Sequence, residues 1–421
     1  MRFFNPCFAR RTAALVLMLA AARPLCAADD WPQWRGPRRD GAAAFAPPAS
    51  WPEKLKLRWR VKVGFGDASP VTAGRRAYLF TNEGGREVVT AVGLDDGAQA
   101  WRDSYPVSYA PDQYEKEHGK GPKATPVVDG GRLFTVGVSG IISAYDAATG
   151  KLLWRHEPKG GVREAYPLFG MSISPLVADG LLVAPVGGSR QMKLAAFDAR
   201  TGALRWQWGA ENLHPDLGLG YSSPVLAEFG GVRHLVFWTG RDLFGLEPKT
   251  GRLLWVFPFK SEWDPVVTPV LHGRTVILSG NPQGTVAVRV EKRRGRWAAE
   301  EAWRQAEVFN YMTTPVASRE LLYGLSVKKK GQFFCLDLGT GKTLWLTEGR
   351  EAENAALVSA GEYVFVLTND ASLIVARRSG KGFESVRRYQ VAESPTWAHP
   401  VLLDRQILVK DAETLALWSL D

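Results

Sequence analysis

One phrase keeps returning along this chain and restricts what it can fold into. Asp146-Ala-Ala-Thr-Gly150-Lys-Leu-Leu-Trp154 reappears as Asp198-Ala-Arg-Thr-Gly202-Ala-Leu-Arg-Trp206, as Glu247-Pro-Lys-Thr-Gly251-Arg-Leu-Leu-Trp255 and as Asp337-Leu-Gly-Thr-Gly341-Lys-Thr-Leu-Trp345. A version two residues shorter, Asp95-Asp-Gly97-Ala-Gln-Ala-Trp101, precedes them. Self-similarity at a period of some 40 to 56 residues implies one supersecondary unit repeated, each unit burying its apolar face against the next.

A second signal keeps register with the first. Ser-Pro or Thr-Pro opens a short apolar run at Ser69-Pro70, Thr125-Pro126, Ser174-Pro175, Ser223-Pro224, Thr268-Pro269 and Thr314-Pro315. His399-Pro400 repeats it, and Ala355-Ala356-Leu357-Val358 fills the remaining slot without proline. From each opening the chain reads strand, turn, strand, turn, strand, Asp-x-x-Thr-Gly hairpin, and a strand bearing Trp. In the second unit the strands are Val127-Val128, Leu133–Val136, Ile141–Tyr145 and Leu152–Trp154. Four short strands per unit with closely spaced turn signals describe a propeller blade. The expected fold is all-β: an eight-bladed β-propeller of four-stranded blades with almost no helix.

Counting strands predicts how the ring closes. The last unit runs from Pro400 to Leu420 and is missing the fourth strand that carries the docking Trp, while a spare one, Lys56-Leu-Arg-Trp59-Arg-Val61, lies ahead of the first opening. An N-terminal strand completing the last blade removes the open edge of a linear array.

The phrase itself has structural chemistry. The acid can accept hydrogen bonds from turn N–H groups, and the glycine can take the left-handed conformation of a tight hairpin. Two positions before the acid stands a small residue, Gly93, Ala144, Ala196, Gly245 or Cys335, where a Trp can lie flat against backbone. Trp59, Trp101, Trp154, Trp206, Trp255 and Trp345 are therefore read as blade-to-blade docks, large apolar bodies whose indole N–H needs a partner.

The first thirty residues read as an address. Arg2, Arg10 and Arg11 precede the apolar run Ala13–Ala22, and Cys26-Ala27-Ala28 offers small residues for cleavage, so residues 1–28 are expected to be a secretory signal. Residues 29–54, rich in Pro, Ala and Gly, are read as an extended segment on the propeller's flank with Trp31 and Trp34 as anchors; residues 55–421 form the propeller. The protein is then exported, periplasmic or extracellular, with no transmembrane segment. Without residues 1–28 the chain keeps 49 basic against 43 acidic residues, a net +6, which fits a mixed solvated surface and no nucleic-acid partner. Cys335 is the sole cysteine outside the signal, so no intramolecular disulfide is expected and the residue reads as a small filler.

The Ala-x-Asp-x-x-Thr-Gly-x-x-x-Trp phrase resembles the tryptophan-docking repeats of pyrroloquinoline-quinone (PQQ) propellers across essentially all of residues 55–421. Trp31-Pro-Gln-Trp34-Arg-Gly-Pro37 with Asp40-Gly41 is similar to the start of secreted bacterial PQQ-like repeat proteins. The resemblance implies one of two branches. Quinoprotein dehydrogenases oxidise alcohols or sugars through PQQ and Ca²⁺, with a catalytic carboxylate, a Glu, Asn and Asp shell for the calcium and an aromatic floor under the quinone. The BamB-like group comprises noncatalytic eight-bladed scaffolds of outer-membrane protein assembly. This chain has no Cys-Cys pair and no Cys-x-x-Cys-His, and it lacks the long insertions of the enzymes. It also lacks the small residues expected before a lipidated cysteine.

Binding is expected on the face made by the loops between blades. These carry Tyr105, Tyr109, Tyr114, Arg163, Tyr166, Phe169, His214, Trp263 and Tyr311, read as candidates for partner contact. Three residues before each opening proline, or before Ala356, come Asp67, Lys123, Ser172, Tyr221, Val266, Met312, Glu353 and Trp397, expected to ring the funnel mouth. Of these, Asp67, Lys123, Tyr221, Glu353 and Trp397, with Asn354, are the candidates for contact with a cofactor. No histidine pair has metal spacing and no metal site is assigned; no serine-hydrolase elbow occurs in a strand–helix context. The expected function is a monomeric, noncatalytic binding or scaffold module for a protein or cell-envelope partner, with no cofactor. The alternatives are a PQQ- and Ca²⁺-dependent dehydrogenase and a carbohydrate-binding propeller.

Overall fold

Each repeat folds into an antiparallel sheet, and eight such sheets stand around one axis in a computed structural model that describes residues 1, 30–109, 119–158, 169–188, 192–209, 220–264 and 266–421. Apart from Met1, the expected signal lies outside the described residues, as do Tyr114, Arg163, Tyr166 and His214. Blade 2 shows the plan: Val127–Asp129, Arg132–Val136, Ile142–Asp146 and Leu152–His156, each paired with the next. The innermost strand lines the axis and the Trp-bearing strand is outermost. Each first strand starts at an inter-blade loop and ends at a tight turn, so the loops gather on one face and the Asp-x-x-Thr-Gly turns on the other.

The recurrent phrase folds as its chemistry requires. Asp146 Oδ1 accepts from both the backbone N–H and the hydroxyl of Thr149, each at 2.8 Å, and the Gly150 N–H donates to the Asp146 carbonyl at 2.9 Å. Gly150 has φ +75°, and a Cβ there would stand 2.5 Å from the Trp101 ring of the preceding blade. The dock is therefore an indole laid on a glycine, with its N–H donated to a nearby carbonyl of the next blade. Trp101 donates to Ala147 at 3.0 Å, Trp154 to Ala199 at 3.2 Å, Trp206 to Pro248 at 3.1 Å and Trp345 to Ser379 at 2.9 Å. Within its own blade each Trp faces a small residue: Ala144 opposite Trp154, Ala196 opposite Trp206, Gly245 opposite Trp255 and Cys335 opposite Trp345. In blade 1 that residue is Ala91, not Gly93.

Two blades depart from the pattern. Blade 5 replaces the phrase with a long hairpin, Gly284–Arg293 and Arg296–Gln305, so Trp255 of blade 4 donates instead to Nδ1 of His234 in its own blade, at 3.0 Å. Blade 5 still docks onto blade 6 through Trp303, whose N–H donates to the Leu338 carbonyl at 2.8 Å while its ring covers Gly341. Blade 7, the degenerate unit, has four full strands from Ala355 to Gln390. The apolar core lies between neighbouring blades, as where Phe134 and Ile142 share a cluster with Leu182 and Leu194.

The ring closes through the N-terminal strand. Lys56–Lys62 pairs antiparallel with Thr414–Ser419, and the Trp59 N–H donates to the Leu94 carbonyl of blade 1 at 2.8 Å.

The segment before that strand lies in a different place from the flank. Residues 30–43 enter the axial channel from the turn face, where the Gly74 N–H donates to Asp30. Trp31 exchanges backbone hydrogen bonds with Thr72 of blade 1, and the Pro32 carbonyl accepts from Val128 of blade 2. Arg39 donates to the Ser174 and Pro175 carbonyls at blade 3, and Arg35 to the Pro315 carbonyl at blade 6. Ala42–Ala43 then pairs in parallel with the inner strand of blade 7. Only beyond this does the chain run outward, with Phe45 and Trp51 packed on Tyr363 and Phe365. The physical reason is the unpaired polar backbone at the centre of the ring, where innermost strands have no neighbour on one side; the segment supplies partners to it.

Candidate functional site

The Ser-Pro and Thr-Pro openings build the wall of the channel. Proline holds the residue before it extended, and the hydroxyl of that residue then accepts the backbone N–H of the preceding blade's opening. Ser69 N–H donates to Thr125 at 3.1 Å, Thr125 to Ser174 at 3.0 Å, Ser174 to Ser223 at 3.0 Å and Thr268 to Thr314 at 3.1 Å. His399 N–H closes the belt onto the Ser69 hydroxyl at 2.8 Å. The dipeptide was visible in the sequence as a strand signal; its hydroxyl's role as an inter-blade tie was not.

On the loop side of this belt opens a funnel of about 380 Å³. Asp67, Lys123, Ser172, Tyr221, Val266, Met312 and Trp397, seven of the eight residues expected at the mouth, line it together with Asn354. Equivalent positions of different blades converge there because the blades share one axis. The floor is Trp34, brought in by the axial segment, with its indole N–H donated to the Thr268 hydroxyl at 3.0 Å and its ring 4.4 Å from that of His399. The sequence gives no hint of this residue's destination, since the segment has no periodicity.

Glu353, the eighth position, stands on the wall of an adjoining cavity of about 490 Å³, which shares Asp67 and Trp397 with the funnel. Asn354 is tied into the frame: its Oδ1 accepts from the Thr313 hydroxyl at 2.7 Å and its N–H donates to Asn369 Oδ1 at 3.2 Å.

The residues expected to meet a partner divide into two sets. Tyr105 and Tyr109 are buried, each 5% exposed, and support the loops from beneath. The Arg155 guanidinium lies 3.9 Å over the Tyr105 ring, and the Lys123 ammonium 5.6 Å over that of Tyr109. Phe169, Trp263 and Tyr311 are accessible. Phe169 meets Tyr221 edge-on at 5.7 Å and donates its N–H to the Tyr221 oxygen at 3.3 Å. Trp263 meets Tyr311 edge-on at 5.0 Å.

The electrostatics are mixed. Asp264, on the funnel wall, has its carboxyl raised by burial, and Tyr311 beside it is raised by burial and by that carboxylate. Burial, then Arg35, pulls the His399 imidazole down to about 3, so it stays neutral under the floor. Arg35 and Arg39 are lowered to about 10 and about 9, first by burial, and both remain cationic at neutral pH. A residue with no sequence signal is Glu87 of blade 1. It is fully buried, its Oε1 accepts the Val138 N–H of blade 2 at 2.6 Å, and burial raises its carboxyl to about 7 against the opposing effects of Tyr105, that N–H and Arg155. A glutamate in a β-strand ordinarily reads as a solvated position.

The donor set can be tested against PQQ and Ca²⁺. Calcium takes six to eight oxygen ligands converging on one point. Here the charged residues of the funnel are Asp67, Asp264 and Lys123, supplied by different blades or inter-blade loops, and Asn354 is already engaged. Among the described residues no three His, Cys, Asp or Glu side chains stand close enough to hold a metal ion. The described residues of the funnel do not supply the oxygen shell that calcium requires, and no chemical step is derived through a quinone.

Comparison with known proteins places this architecture. The chain is 25% identical over 331 residues to the outer membrane protein assembly factor BamB of Shewanella oneidensis, covering 75% of each chain. It is 24% identical over 315 residues to a quinohemoprotein alcohol dehydrogenase of Pseudomonas putida, covering 69% of this chain but only 41% of the enzyme. The solved structure of BamB from Moraxella catarrhalis shares the fold with a TM-score of 0.61 at 14% identity, covering 87% of this chain and 97% of that one. A europium-containing methanol dehydrogenase shares it with a TM-score of 0.70 at 13% identity, covering 93% and 98%. Residues 85–347 match the family model described as outer membrane protein assembly factor BamB, and the chain belongs to that family of PQQ-like β-propellers.

Proposed function

We propose that the protein is an exported, noncatalytic binding module whose loop face, centred on the funnel, docks a protein or cell-envelope partner. The observation that carries this reading is the construction of the funnel. Its floor is the protein's own axial segment, its lining is largely aromatic and apolar, and its charges are distributed singly around the ring. Such a surface presents anchors and orienting charges to a partner. Its donors do not converge on a reacting centre. The match to a BamB over three quarters of both chains supports the same branch.

Site-specific photo-cross-linking in the native envelope tests the reading. Probes at Trp263 and Tyr311 on the loop face should yield a discrete adduct, and probes at Lys151 and Arg252 in the turns opposite should not. Calorimetric titration of PQQ with and without Ca²⁺ supplies the converse. Tight one-to-one binding that requires Ca²⁺ would overturn the proposal in favour of an enzyme.

A further inference from the structure

The cavity beside the funnel has a charge pattern of its own. Phe65, Gly66 and Asp67 enter from the approach to blade 1, Glu353 and Asn369 from blade 7, and Trp397, Lys410 and Asp411 from blade 8. Lys410 is buried, and its ammonium donates to the Gly66 carbonyl and, at 3.0 Å, to that of Asp411. The Asp411 carboxylate accepts the backbone N–H groups of Glu413 and Thr414, at 2.9 and 2.6 Å, and the Thr414 hydroxyl at 3.0 Å. Both groups are engaged in holding the turn. Asn369 Nδ2 donates to Glu353 Oε2 at 3.4 Å, which orients that carboxylate. The walls thus present the Glu353 carboxylate and that of Asp67, which also acts on the Lys410 ammonium, together with the Phe65 and Trp397 rings. Three carboxylates against one ammonium leave the lining at −2, a charge that a cationic visitor would offset.

We propose that this cavity seats the basic side chain of a partner polypeptide, with Asp67 and Glu353 as its counter-charges and Phe65 and Trp397 as its aromatic walls. The proposal rests on the reading of the loop face as a docking surface. A guanidinium suits the site best, because its plane stacks on aromatic faces while its edge donates to carboxylates. About 490 Å³ exceeds one side chain and leaves room for the backbone that carries it. Because Asp67 and Trp397 also line the funnel, a neighbouring residue of the same partner would meet Val266, Met312 and Tyr311, so an apolar residue next to the basic one is the matching pattern.

The test titrates the purified protein with acetyl-Gly-Arg-Gly-amide and with its Gln and Glu counterparts, followed by saturation-transfer NMR. The Arg peptide should bind at least about tenfold more tightly than the Gln peptide, and weaken as salt rises from about 50 to about 300 mM. Glu353→Gln and Asp67→Asn should each lose about tenfold in Arg-peptide affinity with the melting temperature unchanged. Because Glu353 is exposed, its variant keeps the test valid even if Asp67→Asn fails to fold. Equal binding of the Arg and Gln peptides, or full Arg-peptide binding to Glu353→Gln, would overturn the proposal. So would ethylguanidine binding as tightly as the peptide, which would make the site one for small guanidines. Loop-face cross-links that persist alongside a negative peptide result sink this proposal alone; their absence sinks the docking reading as well.

Discussion

At the scale of single residues, the docks depend on an absent atom as much as on the indole. Gly202 combines φ +74° with a Trp154 ring that a Cβ would approach to 2.7 Å. Gly202→Ala is expected to cost about 2–4 kcal/mol, through backbone strain and displacement of the ring. Denaturant unfolding of the purified variant measures it, and an unchanged midpoint would contradict the docking geometry. Glu87 makes a prediction in pH. Its carboxyl is raised from 4.5 to about 7 by burial, so between those values the folded state holds more proton than the unfolded chain. The stability this group contributes is complete below the unfolded pKa and is lost as pH rises through about 7. Glu87→Gln removes that loss. It should be more stable than the parent by about 1–3 kcal/mol at pH 8 and close to it at pH 5. His399, whose lowered pKa acts in the opposite direction at acid pH, is present in both proteins and cancels from the difference.

At the scale of elements, the axial segment is the part that sequence reasoning placed wrongly. Its Trp residues were legible as anchors, but nothing in the sequence set Arg35 and Arg39 apart from other charges. In the fold both guanidiniums are buried and donate mostly to backbone carbonyls, in Arg35's case as far away as Pro315. A buried cation without its acceptors is costly, and so are the acceptors without it. Arg39→Ala should therefore destabilise by about 2–4 kcal/mol. It should also speed hydrogen exchange at the amides of Val128 and Ser359, which donate to the Pro32 and Gly41 carbonyls. A loss of global stability with those two amides still protected would show that the segment is held without Arg39. Trp303 illustrates the opposite failure. Its dock is ordinary, yet it escaped notice because blade 5 exchanged the Asp-x-x-Thr-Gly turn for a long hairpin.

At the scale of the whole molecule, closure couples the two ends of the chain. Trp59 joins blade 8 to blade 1, with its ring against Gly97 and its N–H on Leu94. Trp59→Ala should cost about 3–5 kcal/mol. Because it loosens the strand that covers the edge of blade 8, it should also make association concentration-dependent, which sedimentation velocity would detect. A destabilised but strictly monomeric variant would mean that the edge stays paired without its dock.

The sequence by itself determined the repeat, the eight blades, the closing strand and the positions that ring the funnel, because each follows from local rules repeated at a fixed spacing: alternation, turn chemistry and the restriction before proline. The tertiary structure alone decided the floor of the funnel, the belt of hydroxyls between blades, the meeting of Asp67 and Glu353 around one cavity and the burial of Glu87, Arg35 and Arg39. Each of these is a contact between segments whose separation in sequence carries no periodic signal. Only the shared axis brings them together.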